Sequence, residues 1–469
     1  MKDQRTGRTT FDEALGPVWV QKSNQLELPF EGRGEAPRAR RSGQTRPASS
    51  LRTGSGTGLM EAVLDGTNLR AALKRVRKNK GAPGIDGMTT GELPDYLIAN
   101  WHQIREDLLA GLYRPQAVRR HDIPKASGGT RTLGIPTVLD RFIQQALLQI
   151  LQTIYDKTFS DHSHGFRPGR SAHGAVRTAQ RYIQEGRRWV VDIDLEKFFD
   201  RVNHDILMGR LAKRIGDRRI LGLVRGYLEA GVMADGVTAR RYMGTPQGGP
   251  LSPLLANILL DEVDQELEQR KHAFVRYADD LRVFVRSKKA GERVMRSLVK
   301  RFEKLHLQVN ASKSAVSRVW DRPFLGFAFW AAQGKKVQMR ISRASVKTMK
   351  ARVRQITSRN RGRSLEQVAG ELRTYLLGWK GYFHLAATPG VFRSLDEWIR
   401  HRLRAMQLKQ WKRGTTTFRE LRKRGLSSDA AAVVAAGTHR WWHTSAKMLN
   451  TAIPNTYFVA LGIPRLGPH

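Results

Sequence analysis

The chain has no cysteine, which excludes disulfides and any thiolate metal site. It also has no long apolar run: nothing approaches the roughly 20 apolar residues that a membrane-spanning helix needs. The N-terminus shows no apolar signal-peptide core, and Asp3, Asp12, Glu13, Glu27, Glu31 and Glu35 argue against a mitochondrial presequence. These absences predict a cytoplasmic protein with no membrane partner. Acidic residues are scarce as well. There are 42 Asp and Glu against 82 Lys and Arg in 469 residues, a net charge of +40. Scattered surface lysines account for a charge of about +10, but +40 is the electrostatic footprint of a protein that meets a polyanion. What the chain does contain is apolar material, at 40% hydrophobic residues. A chain this long with that content buries a real core and is not a disordered basic tail. At roughly 100–200 residues per domain it holds two or three domains.

Residues 1–58 are rich in Gly, Arg, Ser and Pro and read as a disordered basic extension. From Leu59 the pattern is helical, with Leu69, Leu73 and Val76 at helical spacing. A Gly/Pro-rich loop over 79–87 breaks it. The periodicity then predicts helices over 93–111, 139–158, 206–231, 251–270 and 291–306. Strands are predicted over 121–124, 189–195, 273–285 (as strand, turn, strand) and 324–330. A turn is predicted at Ser127-Gly128-Gly129, and a short extended piece over 240–243. Beyond about residue 342 the chain reads as helical and basic. There is no regular alternation of strand and helix, so the class is α+β followed by an α-helical C-terminal part.

Two carboxylate sites interrupt apolar strands. Asp279 and Asp280 stand at the turn of the strand pair over 273–285, where turn chemistry and metal binding explain an Asp pair equally well. Asp192 and Asp194 end the strand over 189–195 and face the same way by the two-residue period. An acid on such a strand either reaches water at the strand end or needs a cation. Two such sites in a +40 chain suggest two Mg²⁺ ions, which prefer carboxylate oxygen and serve nucleotidyl transfer.

At this point the chain resembles a bacterial group II intron reverse transcriptase/maturase, from about Asn79 to the C-terminus and in motif order. The segments that carry the resemblance are Asn79–Gly87, Ile123-Pro124-Lys125 with Arg131-Thr132-Leu133-Gly134-Ile135-Pro136, and Ser163-His164-Gly165-Phe166-Arg167-Pro168-Gly169-Arg170-Ser171. Then come Asp194-Leu195-Glu196-Lys197-Phe198-Phe199-Asp200, Gly244-Thr245-Pro246-Gln247-Gly248-Gly249-Pro250, Tyr277-Ala278-Asp279-Asp280, Asn310-Ala311-Ser312-Lys313 and Phe324-Leu325-Gly326-Phe327. Thr132 departs from the family's usual Pro. The resemblance implies right-hand polymerase fingers and palm over 59–338, with an antiparallel palm sheet, and a helical thumb (domain X) over 339–405. It implies a basic DNA-binding-like region over 406–469.

The resemblance further implies that Asp194, Asp279 and Asp280 are the catalytic and metal residues, with Asp192 behind them. Lys125 and Arg131 would hold the triphosphate of a dNTP. Phe199, Gln247, Gly248 and Lys313 would shape or border the nucleotide pocket. Arg167 and Arg170 would meet nucleic-acid backbone or order the fingers. His162 and His164 lack further ligands at zinc spacing and are not read as a metal site. Residues 343–430 carry 21 basic against 6 acidic residues, a net of +15, interleaved with aromatics that read mainly as helical-bundle core. There Arg373, Lys380, Lys412 and Arg413 are the candidate RNA and DNA contacts. The implied partners are the parent intron RNA, an RNA template with a DNA primer, dNTPs and target DNA. Absence of Cys and the short tail predict no endonuclease domain. Alternatives are a free-standing DNA-repair or defence-associated reverse transcriptase, and a non-catalytic RNA-binding splicing factor.

Overall fold

The computed structural model describes residues 58–124, 130–234, 237–239, 243–245, 248–331, 336–358, 362–437, 441–445 and 449–467. The predicted extension over 1–58 therefore lies outside the described residues except for Gly58. So do the Ser127-Gly128-Gly129 turn and residues 240–242.

Helices α1 (Leu59–Val63), α2 (Gly66–Asn79) and α3 (Leu93–Ala110) lead into the hairpin β1 (Val118–Pro124) and β2 (Thr130–Ile135). Then follow α4 (Val138–Tyr155), α5 (Ala172–Gln184), β3 (Trp189–Ile193), α6 (His204–Ala212) and α7 (Arg218–Glu229). Strands β4 (Val232–Ala234) and β5 (Val237–Ala239) precede α8 (Ser252–Gln269), β6 (Ala273–Tyr277), β7 (Asp280–Val285) and α9 (Lys288–Lys304). Strands β8 (Ala315–Arg318), β9 (Phe327–Trp330) and β10 (Gln338–Ile341) close the mixed part. The rest is helical, led by α10 (Arg343–Ile356), α11 (Leu365–Phe383) and α12 (Pro389–Trp411). Among the described residues no helix is long and apolar enough to cross a membrane.

The helix predicted over 206–231 is two helices. Asp217 accepts from the Arg219 backbone N–H and caps α7, an N-cap that outweighs the continuous apolar period across the break. Helix α5, capped by Ser171, was not anticipated, nor were β4, β5, β8 and β10. Two predicted borders fall inside elements. The cut between 338 and 339 falls within β10, which pairs with β9 from Gln338 onward. The cut between 405 and 406 falls inside α12, where buried Ile399, Leu403 and Met406 form one continuous stripe. A change in surface charge does not end a hydrogen-bonded ladder.

The central sheet has the order β6-β7-β3-β8 and every pair is antiparallel, the pairing that the resemblance implies for a palm sheet. A second sheet, β2-β1-β4-β5, joins the β1–β2 hairpin to β4 by a parallel pairing. The central sheet separates two cores. Val191, Ile193, Leu281 and Val283 face one core with α4, α8 and α9. Val190, Val275 and Phe284 face the other, which includes Phe327, Leu372, Leu376 and Ile399 of the C-terminal helices. The period of two sends alternate residues to opposite faces, so the strand ends are gripped from both sides.

Candidate active site

The register fixes the acids. Strand β3 runs antiparallel to β7 with Val190 opposite Phe284, Asp192 opposite Arg282 and Ile193 opposite Leu281. Asp194 is the next residue beyond β3, and Asp280 is the first residue of β7, beside the turn that carries Asp279. Directly opposed residues have Cβ atoms about 4.5–5.5 Å apart. One sheet face thus reads apolar pair, then ion pair, with Asp194 next along the chain. Asp192 is taken up by Arg282 at 3.3 Å and Arg322 at 3.4 Å, two residues inward of Asp194. Arg282 also reaches the Asp280 carboxylate at 3.3 Å and lies over the Phe324 ring. Burial pushes the Asp280 carboxyl above the usual range, with Arg282 opposing the shift. Asp194 is half-exposed, and the Lys313 ammonium stands 3.8 Å from its Oδ1.

Hard carboxylate oxygens at one sheet end suit a divalent cation in donor chemistry. The Lys313 and Arg282 cations already drawn to Asp194 and Asp280 mark the same demand for positive charge. Among the described residues no three His, Cys, Asp or Glu side chains are gathered closely enough to hold an ion as they stand.

The Asp279 turn is braced from below by residues that the sequence reading did not single out. Ala278 occupies the left-handed region at φ 59, a conformation that favours glycine and costs a residue with a Cβ. The Arg276 side chain is 1% exposed and donates Nη1 to the Ala278 carbonyl at 2.9 Å. It also donates to Asn257 Oδ1 at 2.8 Å and grips fully buried Asp264 with Nε and Nη2. Asn257 in turn donates to the Gly165 carbonyl at 2.9 Å. An added Cβ on Gly165 would strike the Ala278 backbone nitrogen. The signal for this brace was a charge inside the apolar run Ala273–Tyr277, with an inward acid on α8 to match it. Ser314 is a second residue missed: its Oγ accepts from the Asp194 N–H at 3.0 Å.

Of the predicted nucleotide residues, Lys125 and Gln247 lie outside the described residues, and only the backbone of Arg131 is described, opposite Ile123 in the hairpin. Phe199 is half-buried, edge-on to buried Phe198 at 5.1 Å, and its carbonyl accepts from the Thr245 N–H at 2.7 Å. Gly248, at φ +136, comes so close to β2 that a Cβ would stand 2.6 Å from the Gly134 oxygen. Thr245 is therefore held against Phe199, and Gly248 against the β1–β2 hairpin.

The predicted nucleic-acid contacts divide. Arg167 does not face solvent: it is buried, bonded to Asp156 and to the Ser160 and Ser163 carbonyls, so it orders the loop. Its neighbours on that loop left it no exposed path, which sequence spacing could not reveal. Arg170 pairs with Asp161. Lys380 donates to the Arg465 carbonyl at 2.7 Å, and Arg373 lies along the Gly462 turn, so both help seat the C-terminal segment. Lys412 and Arg413, at the end of α12, are exposed. His162 bonds Tyr182, and neither ring nitrogen of buried His164 has a partner.

The family described as "Reverse transcriptase (RNA-dependent DNA polymerase)" matches residues 123–329, and "Group II intron, maturase-specific domain" matches residues 346–425. "Protein YkfC" of Escherichia coli (strain K12) is 33% identical over 315 residues, covering 58% of this chain and 83% of that protein. "Group II intron-encoded protein LtrA" of Lactococcus lactis subsp. cremoris is 41% identical over 206 residues, covering 44% of this chain and 34% of that protein. The match thus spans most of the first relative and about a third of the second. A chain of the solved "Partial Cas6-RT-Cas1--Cas2 complex" is 23% identical with a TM-score of 0.34, over 52% of this chain and 42% of that one.

Proposed function

The chain belongs to the group II intron reverse transcriptase/maturase family, and on that premise we propose that it is an RNA-directed DNA polymerase that also binds its intron RNA. The observation that supports the reading is the antiparallel pairing of β3 with β7, whose ends lead to Asp194 and to the Asp279–Asp280 turn, in a sheet packed on both faces. In this reading the central sheet is the palm, the β1–β2 hairpin belongs to the fingers and α10–α12 form the thumb.

Asp194, Asp279 and Asp280 would hold two Mg²⁺ ions, which when bound supply Lewis-acid activation of a primer 3′-hydroxyl and neutralise phosphate charge. The chain's own side chains do the rest. Arg282 keeps one Asp280 oxygen and Asp192 in place. The Phe199 ring borders the sugar, and Gln247 and Gly248 shape the pocket. Lys125 and Arg131 hold the triphosphate by charge-assisted hydrogen bonds. Lys313, near Asp194, stands where negative charge gathers. Exposed Lys412 and Arg413 add sequence-independent affinity for RNA and for target DNA. Splicing chemistry belongs to the RNA, and the protein favours its active fold. Mobility would follow by target-primed reverse transcription, in the cytoplasm where these nucleic acids are.

Primer extension on an RNA template with a DNA primer, dNTPs and Mg²⁺ tests this. The wild-type chain extends the primer, and Asp279→Ala reduces extension to background while RNA binding persists. Undiminished extension by Asp279→Ala would sink the assignment.

A further inference from the structure

A cleft of about 760 Å³ opens between α12 and the C-terminal segment, and none of the palm acids lines it. Its wall includes Arg393, Arg400, Arg404 and Arg465, against the acids Asp396 and Glu397. The Arg400 residue is 3% exposed, and its Nη2 is buried with no hydrogen-bond partner among the described residues. Its Nη1 donates to the Asp396 carboxylate at 2.7 Å. That carboxylate is already occupied, because the Leu466 and Gly467 backbone N–H groups donate to it at 2.9–3.1 Å. Arg404, one helical turn along, is 6% exposed and among the described residues donates to two neutral oxygens, the Ile453 carbonyl and Asn455 Oδ1.

Of two buried guanidinium groups on one helix face, Arg400 therefore has a carboxylate that is already saturated, and Arg404 has no ion pair among the described residues. A buried guanidinium with an unused donor favours a further acceptor, and one beside a second buried cation favours an anionic acceptor. The planar fork of Arg matches phosphate in geometry as well as charge. Burial and the neighbouring Arg400 lower the Arg404 pKa to about 10, consistent with uncompensated positive charge. Arg393 on the exposed rim extends the positive field outward.

We propose that this cleft is a phosphate-binding site that seats a backbone phosphate of bound nucleic acid. The phosphate chemistry stands on the Arg400–Arg404 pair; the nucleic-acid source rests on the maturase reading.

The test uses the full chain, an RNA hairpin and a series of KCl concentrations. Loss of one phosphate contact reduces the slope of log K against log salt by about 0.7–0.9. That reduction is expected for Arg393→Gln, which alters only the rim, and for Arg400→Met. Circular dichroism checks that each variant is folded, and Arg393→Gln decides if Arg400→Met is not. An unchanged slope in the folded variants overturns the proposal. Inorganic phosphate supplies the second arm: at matched ionic strength it raises the wild-type unfolding midpoint above that in chloride, and the rise disappears in Arg400→Met. A phosphate effect with unchanged RNA slopes identifies a free anion and overturns the nucleic-acid source. Primer extension is scored separately, so loss of the polymerase reading and loss of this one are distinguishable.

Discussion

Arg276 shows how one buried side chain can serve both stability and function. Its charge is matched by Asp264, whose carboxyl burial pushes up and Arg276 pulls down. Removing one partner of a buried ion pair costs about 3–5 kcal/mol, because the other is left uncompensated. Arg276→Met should lose about that much in urea denaturation and most of its primer extension. The double variant Arg276→Met with Asp264→Leu should regain much of the stability, since an apolar pair replaces the ion pair. It should stay slow in extension, because the Ala278 carbonyl still lacks its donor. A stable double variant with wild-type extension would show that the brace has no part in positioning the acids. His164 gives a prediction in pH. Burial, then Arg170, lowers its pKa from 6.5 to about 4. Below pH 6.5 the unfolded chain binds a proton that the folded chain refuses, so this contribution to stability is lost as pH falls from 6.5 toward about 4. His164→Leu should flatten the decline of the unfolding midpoint across that window and leave the midpoint at pH 8 equal or higher, since two partnerless ring nitrogens disappear. A decline as steep as wild type would refute this account.

The β6–β7 hairpin is the element on which the site depends, and it was legible in part. Alternating β-type residues around two aspartates located both strands and the turn, and the structure places them at Ala273–Tyr277 and Asp280–Val285. The support was not legible. Gly165 has meaning only because the 162–165 segment pairs beside β6, with His164 N–H donating to the Arg276 carbonyl and Arg276 N–H donating to that of His162. Local periodicity carries no trace of a contact between distant segments, and the left-handed Ala278 carries no Gly or Asn signal. Gly165→Ala must therefore push the Ala278 turn outward, and primer extension should fall about 10²-fold, the scale set by a 1 Å misplacement. Gly378→Ala is the control. It lies inside α11 with open space around it, so it should gain up to about 1 kcal/mol and leave extension unchanged. Equal effects of the two substitutions would contradict the close-approach argument.

Across the whole molecule, the order of motifs and the +40 charge were readable, while the borders between units were not. The reason is that the two cores meet through one sheet. Val190, Val275 and Phe284 point from the central strands into the core that the C-terminal helices complete, and Phe327 packs on Phe383 at 5.1 Å. Tyr382 reinforces the seam by donating to the Leu325 carbonyl at 2.9 Å. Composition changes near residue 342, but the packing does not divide there. A chain cut after residue 342 would keep the acids, the sheet and α5, yet strip from Phe327 its packing on Tyr382 and Phe383 and open to water the core that the C-terminal helices complete. At about 1.5–3 kcal/mol for each large apolar side chain uncovered, that loss is a large fraction of the 5–15 kcal/mol by which domains are stable. Such a fragment should bind a hydrophobic dye, lack the near-ultraviolet dichroism of the full chain and extend no primer, although every proposed metal ligand is present. The full chain should unfold across both cores together, with tryptophan fluorescence from α11 and α12 tracking loss of the sheet. A soluble, cooperatively folding fragment with polymerase activity would instead mean that the sheet holds its own shape and the C-terminal helices are an attachment.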